Sequence, residues 1–374
     1  MSEGEIDLSK LKVAITHDFL VENGGAEKVL VAFMEIFPNA EIYTSIYKPE
    51  RFTKKFNRAV SKHKLITTNL DKLLPGGSLW KLYIPLIKNF FQKLNFEGYD
   101  LVISNSSSFA KWFKKPKTTR HVAYINTPPR FIWGIENATF HKFPKFFQSI
   151  LSPVISRWRK IDAESAKNAD VLIANSENIR GKIKKFYKSE SVVIHPPVEV
   201  EEKVKKKDLE DDGFYLVINR LVAYKRIDTI IKYFNETSRR LVIVGEGSER
   251  KYLESISGDN VFFTGFITDK MKFQYLKKCK ALIYPGEEDF GIAMVESLLF
   301  GKPVVAYKKG GSLEIIDKKS GVFYEKNTIK SVSDSIKKLE NMNIEIDYLM
   351  KKGKGFSKQE FKKNIVKRIN QIFA

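Results

Sequence analysis

Cysteine is almost missing from this chain. Cys279 stands alone in 374 residues, which excludes an internal disulfide and fits a reducing compartment. Its place in a lysine-rich helical stretch marks it as structural. Histidine and cysteine never cluster at the spacing of metal ligands. No run of about 18 apolar residues occurs, which leaves nothing to span a bilayer. The segment 1–10 is polar and partly acidic without an apolar core, so no signal peptide is expected and the chain is placed in the cytoplasm. Acid is also scarce. Against 65 Lys and Arg stand 44 Asp and Glu, giving a net charge of +21. That excess asks for a polyanionic partner: nucleic acid, an anionic membrane surface or a phosphorylated substrate. No recognised nucleic-acid motif accompanies it.

What is present suits a globular enzyme. The chain is long enough for two domains with proper cores, at 43% hydrophobic and 29% charged residues. Short apolar runs alternate with helical patterns. Strands are predicted at 13–16, 42–46, 101–104, 122–125, 171–174 and 192–195. After Pro196-Pro197 a charged stretch to Asp212 has little to bury and marks the boundary. The pattern then restarts, with strands at 215–218, 241–244, 261–263, 282–284, 304–307 and 322–324. Alternating β and α with continuous apolar strands argues for parallel sheets covered on both faces. Two such domains in tandem predict a cleft between the carboxyl ends of two sheets. A final amphipathic helix over 357–373 places Phe361, Ile365, Ile369 and Ile372 on one stripe.

The densest chemistry lies in Gly286-Glu287-Glu288-Asp289-Phe290-Gly291-Ile292-Ala293-Met294-Val295-Glu296. An apolar run before it reads as a strand, and 292–300 has helical periodicity. Glu288 therefore falls on the turn leaving a strand and Glu296 inside the next helix. Gly291 frees backbone N–H groups at that helix start to approach a ligand. Two carboxylates so placed can hold two hydroxyl-bearing parts of one ligand, as in a sugar nucleotide. With Gly301-Lys302-Pro303-Val304-Val305-Ala306 following, the block resembles the E-x7-E signature of retaining glycosyltransferases of family 4, whose architecture is two Rossmann-like α/β domains facing across a cleft (GT-B).

Other constellations extend the resemblance. Cations just past the carboxyl end of a strand are placed to neutralise a diphosphate, and Arg220 and Lys225 in Asn219-Arg220-Leu221-Val222-Ala223-Tyr224-Lys225-Arg226 match the family's R-x4-K donor-diphosphate element. Gly245-Glu246-Gly247 resembles the G-x-G turn beside the nucleotide, and Thr264-Gly265-Phe266 the place where the family reads the base. His17-Asp18-Phe19-Leu20 and Gly24-Gly25-Ala26-Glu27-Lys28 resemble elements of a mannosyltransferase sub-group acting in polysaccharide and lipid-linked glycan assembly. Read from the residues alone, the paired glycines are either an anion cradle or a flexible loop. In Asn126-Thr127-Pro128-Pro129-Arg130, relatives commonly carry His where this chain has Asn126. An amide there still hydrogen-bonds a sugar hydroxyl but cannot carry a proton. Arg130 remains available for an acceptor or phosphate contact.

The segments 79–96 and 140–160 mix aromatic, aliphatic and basic residues with almost no acid. They read either as core helices or as a face resting on an anionic bilayer. The resemblance covers nearly the whole chain. It implies a domain over 1–198 plus 357–374 and a nucleotide-sugar domain over 199–356, with the last helix crossing back to the first domain. It further implies that Arg220, Lys225 and Glu288 act in catalysis. The donor is then bound by these three with Gly25, Asn126, Gly245, Gly247, Gly265, Phe266, Phe290, Gly291, Ile292 and Glu296, where Glu288 meets the transferred sugar and Glu296 the ribose. GDP-mannose is the first expectation for the donor and UDP-glucose or a related UDP-sugar the next. The acceptor is a glycan or polyprenyl-linked glycan at the inner face of the cell membrane. No cofactor beyond the donor, no metal and no nucleic acid are expected. Two alternatives stay open: an epimerase or hydrolase of sugar nucleotides, and a non-catalytic basic protein associated with membrane or nucleic acid.

Overall fold

The computed structural model describes residues 7–22, 24–68, 70, 83–135, 145–200 and 204–374. Contacts divide the chain into two units, Met1–Pro197 with Lys358–Ala374, and Val198–Ser357.

In the first unit the described strands are β1 (Val13–His17), β2 (Glu41–Thr44), β3 (Leu65–Ile66), β4 (Leu101–Ser106), β5 (Arg120–Ile125), β6 (Val171–Ala174) and β7 (Val192–Val193). They form one sheet in the order β3-β2-β1-β4-β5-β6-β7, and every described pairing is parallel. Such a sheet must be covered on both faces, and period-2 alternation sends neighbouring side chains to opposite layers. Val13, Ile15, Leu101, Ile103 and Tyr124 face the helix Gly25–Ile36 and the terminal helix Lys358–Phe373. Ala123, Ile125, Leu172 and Ala174 face the helix Glu177–Tyr187 through Ile179, Ile183 and Tyr187.

The terminal helix belongs to the first unit, as its stripe requires. Phe361, Ile365 and Ile369 are buried there, and the Phe361 ring meets Phe33 edge-on at 5.5 Å. Lys358 and Lys362 both reach Glu35, at 2.8 and 3.3 Å.

The second unit contains β8 (Phe214–Ile218), β9 (Arg240–Val244), β10 (Val261–Gly265), β11 (Ala281–Tyr284), β12 (Val304–Tyr307) and β13 (Gly321–Tyr324), ordered β10-β9-β8-β11-β12-β13 and again parallel. Leu216, Val242, Leu282 and Val304 pack on one face with Met294, Val295 and Leu298 of the helix Ile292–Leu299. Tyr215, Val217, Ile243 and Ile283 pack on the other with Ile230, Ile231 and Phe234 of the helix Ile227–Asn235. In both sheets the chain order reverses beside the first strand, between β1 and β4 and between β8 and β11. A switch point of this kind leaves a crevice at the carboxyl ends of its two strands, where open α/β sheets bind ligands.

Two expected strands end early, and one strand was not expected. The run 42–46 is a strand only to Thr44, because the next residues turn to the β1 loop: Ser45 N–H donates to Asp18 O at 3.3 Å and Leu20 N–H to Ile46 O at 2.7 Å. The run 192–195 keeps only Val192–Val193, since Pro196 and Pro197 lie just beyond and proline has no N–H for the ladder. The edge strand β3 was not expected at all; two residues are too few to show a period.

Candidate active site

At the switch point of the second unit, the chain leaves β8 through Asn219 and Arg220 and makes a short turn, Ala223–Lys225. Lys225 points inward, with a side chain only 1% exposed, and donates to Glu288 Oε2. Glu288 comes from the loop after β11, and Tyr284 at the end of that strand donates to the same oxygen at 2.8 Å. Burial works to raise the Glu288 pKa, but the Lys225 ammonium overrides it, and the carboxyl is held below its usual range. The result is an ionised Glu288 carboxylate held tightly between Lys225 and Tyr284.

The glycines of this region explain how the loops come so close. A Cβ on Gly286 would stand 3.0 Å from Lys225 Cα. One on Gly310 (φ +68°) would stand 2.3 Å from Glu288 O, where Gly311 N–H donates to that oxygen at 2.9 Å. Gly291 has φ +108° and directly precedes the helix Ile292–Leu299, so the loop enters the helix through a left-handed residue. Phe290 is 3% exposed and its ring lies 5.6 Å from that of Phe356. Its side chain is therefore core, which leaves its backbone for any ligand. Ile292 is half-buried.

Glu296, one turn into the helix, is 2% exposed and accepts from Lys272 Nζ at 2.9 Å. Lys272 belongs to the helix Asp269–Lys278, which opens just after the β10 loop that carries Phe266. The Phe266 ring is 85% exposed. Arg220 is exposed on the β8 loop, with its guanidinium 3.3 Å from the Tyr224 hydroxyl. Gly245 and Gly247 have a structural reason of their own: a Cβ on either would fall about 2 Å from a carbonyl of the β8 loop, Asn219 O at 1.9 Å and Leu221 O at 2.1 Å. The β9 turn thus lies directly on the loop that bears Arg220. Gly265 adopts φ +72° against Glu246 and Arg250.

In the first unit the corresponding edge carries a connected row of polar side chains. Asn126 Nδ2 donates to Asn105 Oδ1 at 2.6 Å. Asn105 Nδ2 lies 3.1 Å from His17 Nδ1 and donates to Ala26 O at 2.7 Å. His17 Nε2 lies 3.4 Å from Glu27 Oε1. Since the Asn105 amide donates to Nδ1, a neutral His17 carries its proton on Nε2, toward Glu27. Gly25 begins the helix Gly25–Ile36, but the Gly24 N–H is already taken by Glu27 Oε2 at 2.8 Å, a capping box that fills part of the expected anion cradle. Asp18 accepts from the N–H groups of Ser107, Phe109 and Ala110 at 2.5, 2.5 and 2.6 Å, fixing the loop after β4.

So the structure gathers Lys225 with Glu288 in the second unit, brings the Gly245 turn against the Arg220 loop, and gives Asn126 a partner in Asn105. Sequence reading missed Tyr284, Lys272 and Asn105. Tyr284 stands four residues before Glu288 at a strand end, which was a usable signal. Lys272 and Asn105 lie 24 and 21 residues from their partners, and no local pattern marks them. Among the described residues no group of three or more His, Cys, Asp or Glu side chains is placed to hold a metal.

Two parallel α/β units of this kind, with polar loops at the sheet switch points, define the GT-B class of glycosyltransferase folds. Residues 198–356 match the model of Glycosyl transferases group 1 and residues 23–202 that of Glycosyltransferase Family 4, and the chain belongs to this family. An uncharacterized glycosyltransferase of Methanocaldococcus jannaschii is 26% identical over 55% of this chain and 60% of its own length. The chain thus spans less than two thirds of that relative. The alpha-1,3/1,6-mannosyltransferase of Debaryomyces hansenii is 24% identical over 82% of this chain and 76% of its own. Among solved structures, HepE of Anabaena in complex with UDP superposes with a TM-score of 0.68 at 15% identity, over 96% of this chain and all of the other.

Proposed function

We propose that this protein is a retaining hexosyltransferase that moves mannose from GDP-mannose to a glycan or polyprenyl-linked acceptor. The observation that carries the reading is the Lys225–Glu288–Tyr284 cluster at the β8/β11 switch point, beside the exposed Arg220. Similarity to the mannosyltransferase of Debaryomyces hansenii supports the choice of sugar.

In this reading Arg220 and Lys225 take the charge of the diphosphate, while Glu288 accepts from hydroxyls of the sugar and Glu296 from those of the ribose. The bond between the anomeric carbon and the phosphate oxygen breaks first, and its electron pair stays on that oxygen. The acceptor hydroxyl bonds to the anomeric carbon from the same face and yields its proton to the departing phosphate oxygen. Configuration is retained. Such a path needs positioning and charge stabilisation more than a protein base, so an amide at Asn126 suffices. No metal takes part, because the two cations do the neutralising. The acceptor side works at an anionic membrane surface.

A second reading keeps the chemistry and changes the donor to a UDP-sugar; the UDP held by HepE favours it. The test is a thermal-shift titration with GDP, UDP, ADP, GDP-mannose and UDP-glucose. A ligand present at about 100 times its Kd and bound only to the native state adds about 2.7 kcal/mol of stability. A selective rise with GDP and GDP-mannose is expected, followed by transfer of labelled mannose to a polyprenyl-diphosphate glycan. The product should be an α-mannoside by NMR, formed equally well in EDTA. A response to uridine ligands alone moves the donor to UDP-sugar. Release of free mannose or an isomeric donor without acceptor points to a hydrolase or epimerase, and silence toward every nucleotide refutes the enzymatic reading.

A further inference from the structure

Lys272 answers no motif of the family resemblance, yet its ammonium bonds one of the two signature carboxylates, Glu296. Its ammonium lies 2.9 Å from Glu296 Oε1 and 2.8 Å from Asp269 Oδ1. The Lys272 side chain is 12% exposed and that of Glu296 2%, while Asp269 is 56% exposed and faces solvent. Asp269 stands on the first turn of the helix Asp269–Lys278, whose Thr268 cap accepts from Met271 N–H. Lys272 is thus held from its own helix while it reaches across to the helix Ile292–Leu299.

An ionised carboxylate this deep costs several kcal/mol unless a cation faces it. Without Lys272, Glu296 would lose the cation that holds its carboxylate in this orientation. That orientation matters for one ligand chemistry above others. A vicinal diol offers two adjacent O–H donors, and a carboxylate held in one plane can accept one on each oxygen. Burial pulls the Lys272 pKa down, but Glu296 and Asp269 together hold it above its ordinary value, so the ammonium stays charged through the neutral range. Ion pairs buried like this are weak devices for stability, because apolar side chains of equal size do as well or better. A role in setting the state of Glu296 is the better account. The exposed Phe266 ring, in the loop that leads into the Lys272 helix, adds a bare aromatic face to the same edge.

We propose that Lys272 is the positioning residue for Glu296, holding that carboxylate aimed so that it accepts both hydroxyls of the donor's ribose. This rests on the ribose role given to Glu296 above. Lys272 itself touches neither sugar nor phosphate.

The experiment is calorimetric binding of GDP and UDP, each beside its 2′,3′-dideoxy form, to the wild-type protein and to Lys272→Met, Lys272→Arg and Glu296→Gln. In the wild type the ribonucleotide should bind tighter than the dideoxy form by about tenfold or more, the scale of hydrogen bonds to a charged group. Lys272→Met should lose that preference by weakening the ribonucleotide alone, with dideoxy affinity within about twofold of wild type. Lys272→Arg should keep most of the preference. Equal weakening of both forms by Lys272→Met overturns the proposal, since a general effect on charge or folding would do that. So does an undiminished preference in Lys272→Met while Glu296→Gln abolishes it; the ribose reading then stands and Lys272 has no part in it. Absence of any preference in the wild type refutes the ribose reading itself. Should Lys272→Met melt too low to titrate, Lys272→Gln is judged by the same ratios.

Discussion

At the scale of single residues, the pairing of Lys225 with Glu288 decides how both can act. Either charge alone in that position would be costly. Together they hold each other in one geometry, and Tyr284 fixes the carboxylate from a second side. On the proposed reading Glu288 offsets part of the Lys225 charge, so the exposed Arg220 would carry the larger share in neutralising a diphosphate. Lys225→Ala should cut turnover by about 10²-fold or more, as the loss of one charge-stabilising donor does. It should also cost about 3–5 kcal/mol of stability, because Glu288 is left without its partner. The double variant Lys225→Met with Glu288→Gln separates the two effects. It should recover most of the lost melting temperature while remaining inactive. Near-normal turnover in Lys225→Ala would remove Lys225 from the mechanism.

At the scale of elements, the second unit is tied together at the end of its sheet opposite the site. Glu340, the last residue of the helix Ile329–Glu340, receives Arg239 at 3.0 and 2.7 Å, the Tyr215 hydroxyl at 2.8 Å and Lys280 at 3.3 Å. Tyr215 lies at the start of β8, and Arg239 and Lys280 immediately precede β9 and β11. One carboxylate thus fastens a helix end to three strands. The Arg239 hydrogen bonds, set against burial and helped by Tyr215, bring its pKa down from 4.5 to about 2. A group whose pKa is depressed by folding stabilises above its unfolded value and loses that contribution as pH falls through the folded one. The window here runs from about pH 4.5 down to about pH 2, with on the order of 3 kcal/mol at stake. In urea titrations Glu340→Gln should be clearly less stable than wild type at pH 7, and the gap should narrow between pH 5 and pH 3. A gap that stays constant over that range would mean the carboxylate charge contributes nothing.

The same scale shows what the sequence made legible. Buried parallel strands are written as continuous apolar runs, so all twelve expected strands appear within a residue or two of their places. The helix Ile292–Leu299 and the Glu288 turn were likewise visible, because Gly291 and the following period announce them. Contacts that join distant segments left no such trace. Glu340 meets residues 60 to 125 positions away, and Glu296 meets Lys272 across two different helices. Glycine was legible only in part: Gly245 and Gly247 were expected to serve a nucleotide, yet backbone contact with the Arg220 loop already requires them. Parts of the basic segments 79–96 and 140–160 lie outside the described residues, namely 79–82 and 140–144.

At the scale of the whole molecule, the question is where the excess positive charge goes. No described helix is long and apolar enough to cross a membrane. Among the described residues of the first unit, however, the large hydrophobic side chains that remain exposed fall on two helices: Leu86 at 49% on Ile84–Gln92, and Leu151 at 37% and Val154 at 43% on Lys145–Lys167. These are the helices of the acid-poor segments. Their inner sides, with Ile87, Phe91 and Ile155, share one core cluster, so the outer residues are left over from packing rather than part of it. The first of these helices carries Lys88, with Lys93 just past its end, and the second carries Arg157 and Lys160. Helices that combine exposed apolar side chains with cations suit the interface of an anionic bilayer, where each surface cation contributes about 1 kcal/mol. The protein should therefore sediment with phosphatidylglycerol vesicles and not with phosphatidylcholine vesicles, and 0.5 M salt should release most of it. Leu86→Glu combined with Val154→Glu should weaken that partition by about tenfold or more, from lost apolar burial and added repulsion. Both side chains are already in water, so the melting temperature should hardly move. Equal binding to neutral vesicles, or a double variant that sediments like wild type, would assign the charge to another partner.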